Sequence, residues 1–504
     1  MGLKSTRQFV VSPIEFIILV LIVPILLFLI YWNLGGYPVT SGFDEGIYLQ
    51  FSQNLSHYGI YGTTNGGNFD ILVPQGGTGP ILIAGVVLSF KLLGQSLYSA
   101  RFAVTIFLIL SIIGLYLLVR EISNWQIASL SLLIYLVAGV DFYDTLWMGR
   151  QVLGEVPSQA FLFLGLWCLI KVLKKYSRLL LIASLVLLGL AVVTKNQLVW
   201  ILIPALATMA VGDFLIWKKS HWKVYIVAAC AVFICFLAWY VAQILMTGNS
   251  AQYQEIASYN LLSGYLRFSI SKIIANINLL RYSGFLLPIV IACLYAIFRI
   301  FRDKAHIYEA QAFLFILAAF GLFSSVVLSL PWARYIYSGI VLTIPVLAWL
   351  LNDSIHWIRS RGRIVFRLGL AACIVVFVGF LAFRFFSDAK LIVQTNNNDA
   401  QQFATLVDNK VPAGSEVLNW EWEIEFYSHS SFIHPNYILF PALIDYTYNK
   451  VDSPVLENRR IPDGVHYLII GPFSSQNGVF TEEMSRRVTT SLGQVGDYSL
   501  IYLQ

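Results

Sequence analysis

The chain has 504 residues, 58% of them hydrophobic and only 12% charged, with a mean hydropathy of +0.72 and a formal net charge of +6. A soluble protein of this length needs far more surface charge, so an ordinary water-soluble enzyme is excluded. The positive excess belongs to membrane loop asymmetry and not to a nucleic-acid footprint.

Apolar runs long enough to cross a bilayer recur along the chain. The first, about 13–34, follows Lys4 and Arg7; it is too long for a signal core and lacks a small-residue cleavage site, which predicts an uncleaved helix with a cytoplasmic N-terminus. Residues 35–98 form a long outer loop. Further spans are expected at about 99–119, 125–141, 156–172, 179–194, 197–216, 223–246, 282–302, 310–329, 334–351 and 366–386. The total is about eleven transmembrane helices in a mainly α, polytopic membrane protein. The basic clusters Lys171-Lys174-Lys175-Arg178, Lys218-Lys219-Lys223, Arg299-Arg302-Lys304 and Arg359-Arg361-Arg363-Arg367 then fall on one side, the cytoplasm. Asp44, Glu45, Asp141, Asp144 and Glu155 fall on the other. This register requires the apolar piece 80–94 to lie in the interface and not to cross.

The transmembrane part is expected to occupy 1–387, and 388–504 to form a small extracytoplasmic α/β domain. In it, 398–410 and 480–492 read as helices, and segments near 416–420, 465–471 and 498–503 as strands. Trp420, Trp422 and Tyr427 alternate with Glu421, Glu423 and Glu425; this fits a strand with an acidic face better than a carbohydrate-stacking patch. The five cysteines all lie in apolar segments, so neither a disulfide nor a cysteine-bound zinc is expected.

Chemistry-bearing residues gather on the outer side. Asp44 and Glu45 sit in Ser41-Gly42-Phe43-Asp44-Glu45-Gly46-Ile47-Tyr48. Such a pair suits general-base work, metal binding or holding a cation; equally, Asp44 could cap a short interfacial helix beginning near Glu45. Glu155 stands at the mouth of a span, where a carboxylate must face protein or a water-filled cavity. Arg150 suits a carboxylate or a phosphate. Lys195, in Thr194-Lys195-Asn196-Gln197, and Arg334, in Leu330-Pro331-Trp332-Ala333-Arg334-Tyr335, are isolated cations at outer helix ends, fit either for snorkelling or for a lipid-linked phosphate. Tyr48, His57 and Tyr335 are expected to line the same cavity.

In order and spacing, Phe43-Asp44-Glu45, Gly77-Thr78-Gly79-Pro80, Leu93-Gly94-Gln95-Ser96 with Ala100-Arg101-Phe102, Gly154-Glu155-Val156-Pro157, Thr194-Lys195 and Arg334-Tyr335 resemble the GT-C-fold membrane glycosyltransferases. More narrowly they resemble the bacterial branch that includes protein O-mannosyltransferases and aminoarabinose lipid A transferases, over about residues 10–350. The resemblance implies a polyprenyl-phosphate sugar donor and an acceptor protein, lipid or glycan. It puts Asp44 at the reaction centre of an inverting single displacement, Glu155 at the cavity border, and Lys195 and Arg334 near the donor phosphate. Pro80-Ile81 stands where relatives often have a proline doublet. A divalent metal stays open as a cofactor, because some relatives use one and others do not. A transporter or flippase of lipid-linked sugars is the competing reading, although neither internal repeats nor paired broken helices accompany it.

Overall fold

The computed structural model describes residues 13–36, 42–71, 78–140, 143–247, 254, 268–302, 309–360, 364–395, 397–435, 439–444, 446–447, 461–462, 464–478 and 480–504. Asp141, Pro74 to Gly77, Lys304, Arg361 and Arg363 lie outside the described residues. Each of the eleven predicted spans is helical. They are α1 (Pro13–Tyr31), α4 (Leu97–Ile122), α5 (Trp125–Leu136), α7 (Glu155–Lys174), α8 (Arg178–Thr194), α9 (Val199–Gly212), α10 (Trp222–Met246), α12 (Leu286–Arg302), α13 (Glu309–Phe323), α14 (Ala333–Ser360) and α15 (Ile364–Gln394). Among the described residues, seven helices are long and apolar enough to cross a membrane. Side chains such as Val375, Val376 and Phe383 on α15 and Leu287 on α12 are more than two-thirds exposed, which an apolar surface tolerates only in lipid. The protein is a multi-pass membrane protein.

The elements missing from the sequence reading lie at the helix ends. The first outer loop contains α2 (Gly42–Tyr58), the hairpin β1 (Gly62–Asn65) and β2 (Asn68–Ile71), and α3 (Pro80–Leu93), and the single turn α6 (Thr145–Met148) lies between α5 and α7. At 14 residues α3 spans about 21 Å, short of the roughly 30 Å hydrocarbon core, in keeping with an interfacial helix. Ahead of α12, α11 (Ile270–Tyr282) is turned from it by 102°, the corner being made at Gly284 with φ +76°.

Chain direction sorts the helix ends. Arg120 at the end of α4 meets Glu15 at the start of α1 at 3.0 Å, whereas Arg101 at the beginning of α4 meets Glu45 at 2.9 Å. The α7–α8 turn carries Lys174 and Lys175, and the α9–α10 turn carries Lys218 and Lys219. The other end of the bundle receives α2, the start of α7, the α8–α9 junction and the start of α14. Asp44, Glu45, Glu155, Lys195 and Arg334 therefore meet at one end, while the basic clusters gather at the other.

The α15 helix continues to Gln394, beyond the boundary expected at 387. The C-terminal region follows with α16 (Asp399–Lys410), β3 (Glu416–Leu418), the single turn α17 (Trp422–Glu425), β4 (Ser431–Ile433), α18 (Leu439–Ile444), β5 (Tyr467–Ile470), α19 (Pro472–Asn477), α20 (Thr481–Arg486), β6 (Thr489–Val495) and β7 (Tyr498–Leu503). Its five-stranded sheet runs β4-β3-β5-β7-β6, with β3 parallel to both β4 and β5, and β7 antiparallel to β5 and β6. Phe403, Val407, Val417, Ile424, Phe432, Ile469 and Leu500 form a core of its own. Two expectations are corrected. The helix foreseen over 480–492 stops at Arg486, and 489–495 is a strand because the β6–β7 hairpin, turned at Gly496 with φ +55°, offers those residues a partner. The strand foreseen across Trp420 to Tyr427 is instead a buried turn of helix.

That turn buries three glutamates. Glu421 accepts the backbone N–H groups of Phe473 (3.1 Å) and Ser474 (2.8 Å). Glu425 accepts from Asn419 at 2.8 Å and from Gln50 of α2. Glu423 accepts from the Tyr498 hydroxyl at 2.8 Å and leaves its Oε2 without a partner. Burial, then the neighbouring Glu421 and more weakly Glu45, push the Glu423 carboxyl up to about 8. The folded chain then binds more protons than the unfolded chain between the ordinary glutamate range and about pH 8, so stability falls as pH rises through that window. We expect the thermal midpoint in detergent to drop between pH 5.5 and 8.5. Glu423→Gln should flatten that dependence by on the order of a few kcal/mol; an unchanged slope in the variant would refute the assignment.

Candidate active site at one end of the helices

The helix α2 carries Asp44 and Glu45 in its first turn, where carboxylates complement the helix dipole. Its depth is set at Gly46: a Cβ there would lie 2.4 Å from the Glu423 nitrogen and 2.6 Å from the Trp422 Cβ, so the helix rests directly on the turn 422–425. Neighbouring residues on a helix point about 100° apart, and the two acids part accordingly. Glu45 turns inward. Both its oxygens receive Arg101, each at 2.9 Å, and Oε1 also accepts the Val152 N–H at 2.9 Å. Neither Glu45 nor Arg101 has any exposure. The expectation that Glu45 is catalytic is therefore corrected: its acceptor capacity is spent on tying α2 to α4 and to the loop before α7.

Asp44 turns the other way and keeps 20% of its side-chain surface exposed. Its Oδ2 lies 2.7 Å from Nη1 of Arg334 at the start of α14. Arg334 also lies over the rings of Trp332 (5.5 Å) and Tyr335 (4.9 Å), and its Nη2 donates to the Tyr335 hydroxyl at 3.3 Å. These rings hold the guanidinium by its face.

The second ion pair is built from a close backbone approach. Thr78 pairs with Lys195 as an isolated antiparallel bridge, and the Gly79 N–H donates to the Thr194 carbonyl at 3.0 Å. A Cβ on Gly79 would stand 1.7 Å from the Val193 carbonyl oxygen, so only glycine fits. The bridge fixes Lys195, whose Nζ donates to Glu155 Oε1 at 2.7 Å and sits 5.3 Å from the Tyr335 ring centre. Glu155 Oε2 is buried and has no partner. Gly79→Ala is expected to break this bridge and to lower both the thermal midpoint and any donor-dependent activity. A variant indistinguishable from wild type in both would show that the approach is not as close as described.

Tyr48, one turn along α2 from Asp44, is buried; burial, reinforced by Asp44, raises its hydroxyl well above the usual range, so it stays a neutral hydrogen-bond donor. Tyr335 bridges the two ion pairs. Two further expectations are corrected. Arg150 does not face a phosphate: it is buried and donates to the carbonyls of Leu29, Ile30 (2.9 Å) and Trp32 (2.6 Å), closing the C-terminal end of α1. His57 is exposed at the far end of α2, about 20 Å along the helix from Asp44, against Tyr58. Arg101, noted only as part of a motif, proves to be the residue that orients the acidic pair; its place inside an apolar span was the available signal. Each of the two carboxylates nearest this end stands beside one cation, Asp44 beside Arg334 and Glu155 beside Lys195. The group with metal-ligand spacing among the described residues, Asp213, His221 and Glu309, lies where the α9–α10 turn meets the start of α13, among the basic clusters at the opposite end.

Comparison with known proteins bears on the fold. The model of the dolichyl-phosphate-mannose-protein mannosyltransferase family matches residues 79–239. No curated protein sequence matches the chain. Among solved structures, ArnT from Cupriavidus metallidurans bound to undecaprenyl phosphate superposes with a TM-score of 0.63 at 12% identity, over 97% of this chain and 98% of that one. The chain has the GT-C fold. The apo form of ArnT gives 0.61 at 14% identity over the same shares. The Archaeoglobus fulgidus oligosaccharyltransferase gives 0.58 at 12% identity, over 94% of this chain and 74% of that one. Because the GT-C likeness to ArnT runs through nearly the whole of both chains, it includes the C-terminal region as well as the helices.

Proposed function

We propose that this protein transfers a sugar from a polyprenyl-phosphate-linked donor to an acceptor hydroxyl at the outer face of the cytoplasmic membrane. The observation that carries the reading is the pairing of two carboxylates with two cations, Asp44 with Arg334 and Glu155 with Lys195, at one end of a GT-C bundle. The likeness to a structure solved with undecaprenyl phosphate supports a lipid-phosphate donor. The basic clusters at the opposite end support the orientation, since they favour the cytoplasm.

In the proposed reaction the acceptor oxygen attacks the anomeric carbon of the sugar. The bond from that carbon to the phosphate oxygen breaks, and its electron pair leaves with the polyprenyl phosphate. Asp44 takes the acceptor proton. Arg334 and Lys195 meet the charge that grows on the leaving phosphate. Glu155 orients Lys195, and its free Oε2 is available to a substrate hydroxyl. One displacement inverts the anomeric configuration. The acceptor is a protein, a lipid or a glycan.

The groups cluster at one face and not along a path through the bundle, which favours interfacial chemistry over transport. The test is an assay in proteoliposomes with radiolabelled polyprenyl-phosphate mannose and aminoarabinose, using cell-envelope extract as acceptor. Label should move into the acceptor fraction with inverted linkage. Retained configuration would exclude the single displacement, and label that merely crosses the bilayer would make the protein a flippase.

A further inference from the structure

Each cation of the site already has a carboxylate, yet the two pairs differ. Lys195 and Glu155 are 2% and 1% exposed and joined by a well-formed hydrogen bond of 2.7 Å. Arg334 and Asp44 are as close, also at 2.7 Å, but Nη1 of Arg334 makes no hydrogen bond of good geometry, although it is buried; Asp44 is the most exposed of the four. A donor carrying a phosphodiester brings one more negative charge into this balanced set. An anion entering a partly buried site needs a cation free to receive it, because an uncompensated charge there is costly. The pair that yields is the one with poor geometry and access to water.

We infer that the Asp44–Arg334 ion pair is a latch opened by the donor phosphate, so that binding the donor is what frees Asp44 to act as base. This rests on the donor reading above. With the phosphate on Arg334, the Asp44 carboxylate is released from the guanidinium and is free to receive a proton. It then accepts the acceptor proton as the bond to the anomeric carbon forms. The leaving polyprenyl phosphate, now carrying two negative charges, holds Arg334 while Asp44 is neutral. Loss of the proton to water and departure of the lipid phosphate let the pair re-form. The order of events follows: the base is exposed only when a donor is in place.

The latch makes a prediction opposite in sign to that of an ordinary binding residue. Asp44→Asn removes the competitor for Arg334, so the variant should bind undecaprenyl phosphate about tenfold more tightly than wild type while losing transfer. Binding of undecaprenol, which has no phosphate, should not change. Arg334→Gln should weaken binding of the phosphate, and in that background Asp44→Asn should bring no gain. Unchanged or weaker binding by Asp44→Asn would overturn the latch, as would a gain that persists without Arg334, since Asp44 would then act by repulsion alone. If wild type fails to prefer undecaprenyl phosphate to undecaprenol, the donor reading falls, and the latch with it. Should Asp44→Asn not fold, an experimental structure of wild type with undecaprenyl phosphate decides: Arg334 must have moved from Asp44 to the phosphate, and an intact pair refutes the inference.

Discussion

Asp44→Asn is expected to lower sugar transfer by about 10²- to 10⁴-fold, the range a positioned general base contributes. The substitution keeps the size of the side chain and removes its capacity to take a proton. Asp44 is partly exposed and contributes nothing to the inner pairing of α2, which Glu45 provides. The variant should therefore insert into the membrane, with a modest loss of stability because Arg334 is left without its carboxylate. Transfer measured under single-turnover conditions separates the chemical step from donor binding. Near-wild-type rates in a folded Asp44→Asn protein would remove Asp44 from the reaction centre and leave it as a cap of α2.

Arg101→Ala should have the largest effect on folding. It strands Glu45, fully buried, with a single backbone N–H in place of its bidentate cation. Removing one partner of a buried ion pair costs about 3–5 kcal/mol. We expect low yield from the membrane and a clearly lowered thermal midpoint. Arg101→Met combined with Glu45→Met should be more stable than Arg101→Met alone, because no charge is then left without a partner. If the double replacement is no better than the single one, the pair does not carry the load described. The pair also bears on activity, because α2 is held between Arg101 on one side and the Trp422–Glu425 turn at Gly46 on the other. A shift of this helix moves Asp44 relative to Arg334.

The spans were legible because length and hydropathy decide which segments cross, and the basic clusters decide the register. The same two signals placed Asp44, Glu155, Lys195 and Arg334 at one end, where the structure pairs them. What the sequence hid is the direction of a side chain. Asp44 and Glu45 are neighbours, and only the helix carrying them, with Arg101 waiting 56 residues on, tells which one is buried in an inner ion pair and which meets Arg334. Arg150 looked like a phosphate ligand because an isolated arginine at a helix mouth is ambiguous; its real partners are carbonyls some 120 residues away at the end of α1. His57 was grouped with Asp44 by closeness in sequence, which a straight helix turns into distance. Residues 489–492 read as helix because their strand pairing depends on β7 and the turn at Gly496. Trp420 and Trp422 read as part of a strand with an acidic face, yet both are buried, packing with Phe43 of α2.

The most direct test of the account is sugar transfer in proteoliposomes, with wild type and Asp44→Asn compared side by side. Radiolabelled polyprenyl-phosphate sugar is supplied in the bilayer, and envelope acceptor is added outside. The account predicts label in the acceptor fraction for wild type and about 10²-fold less, or none, for Asp44→Asn. Equal transfer by the two proteins, or label from wild type that changes leaflet without leaving its lipid, would contradict it.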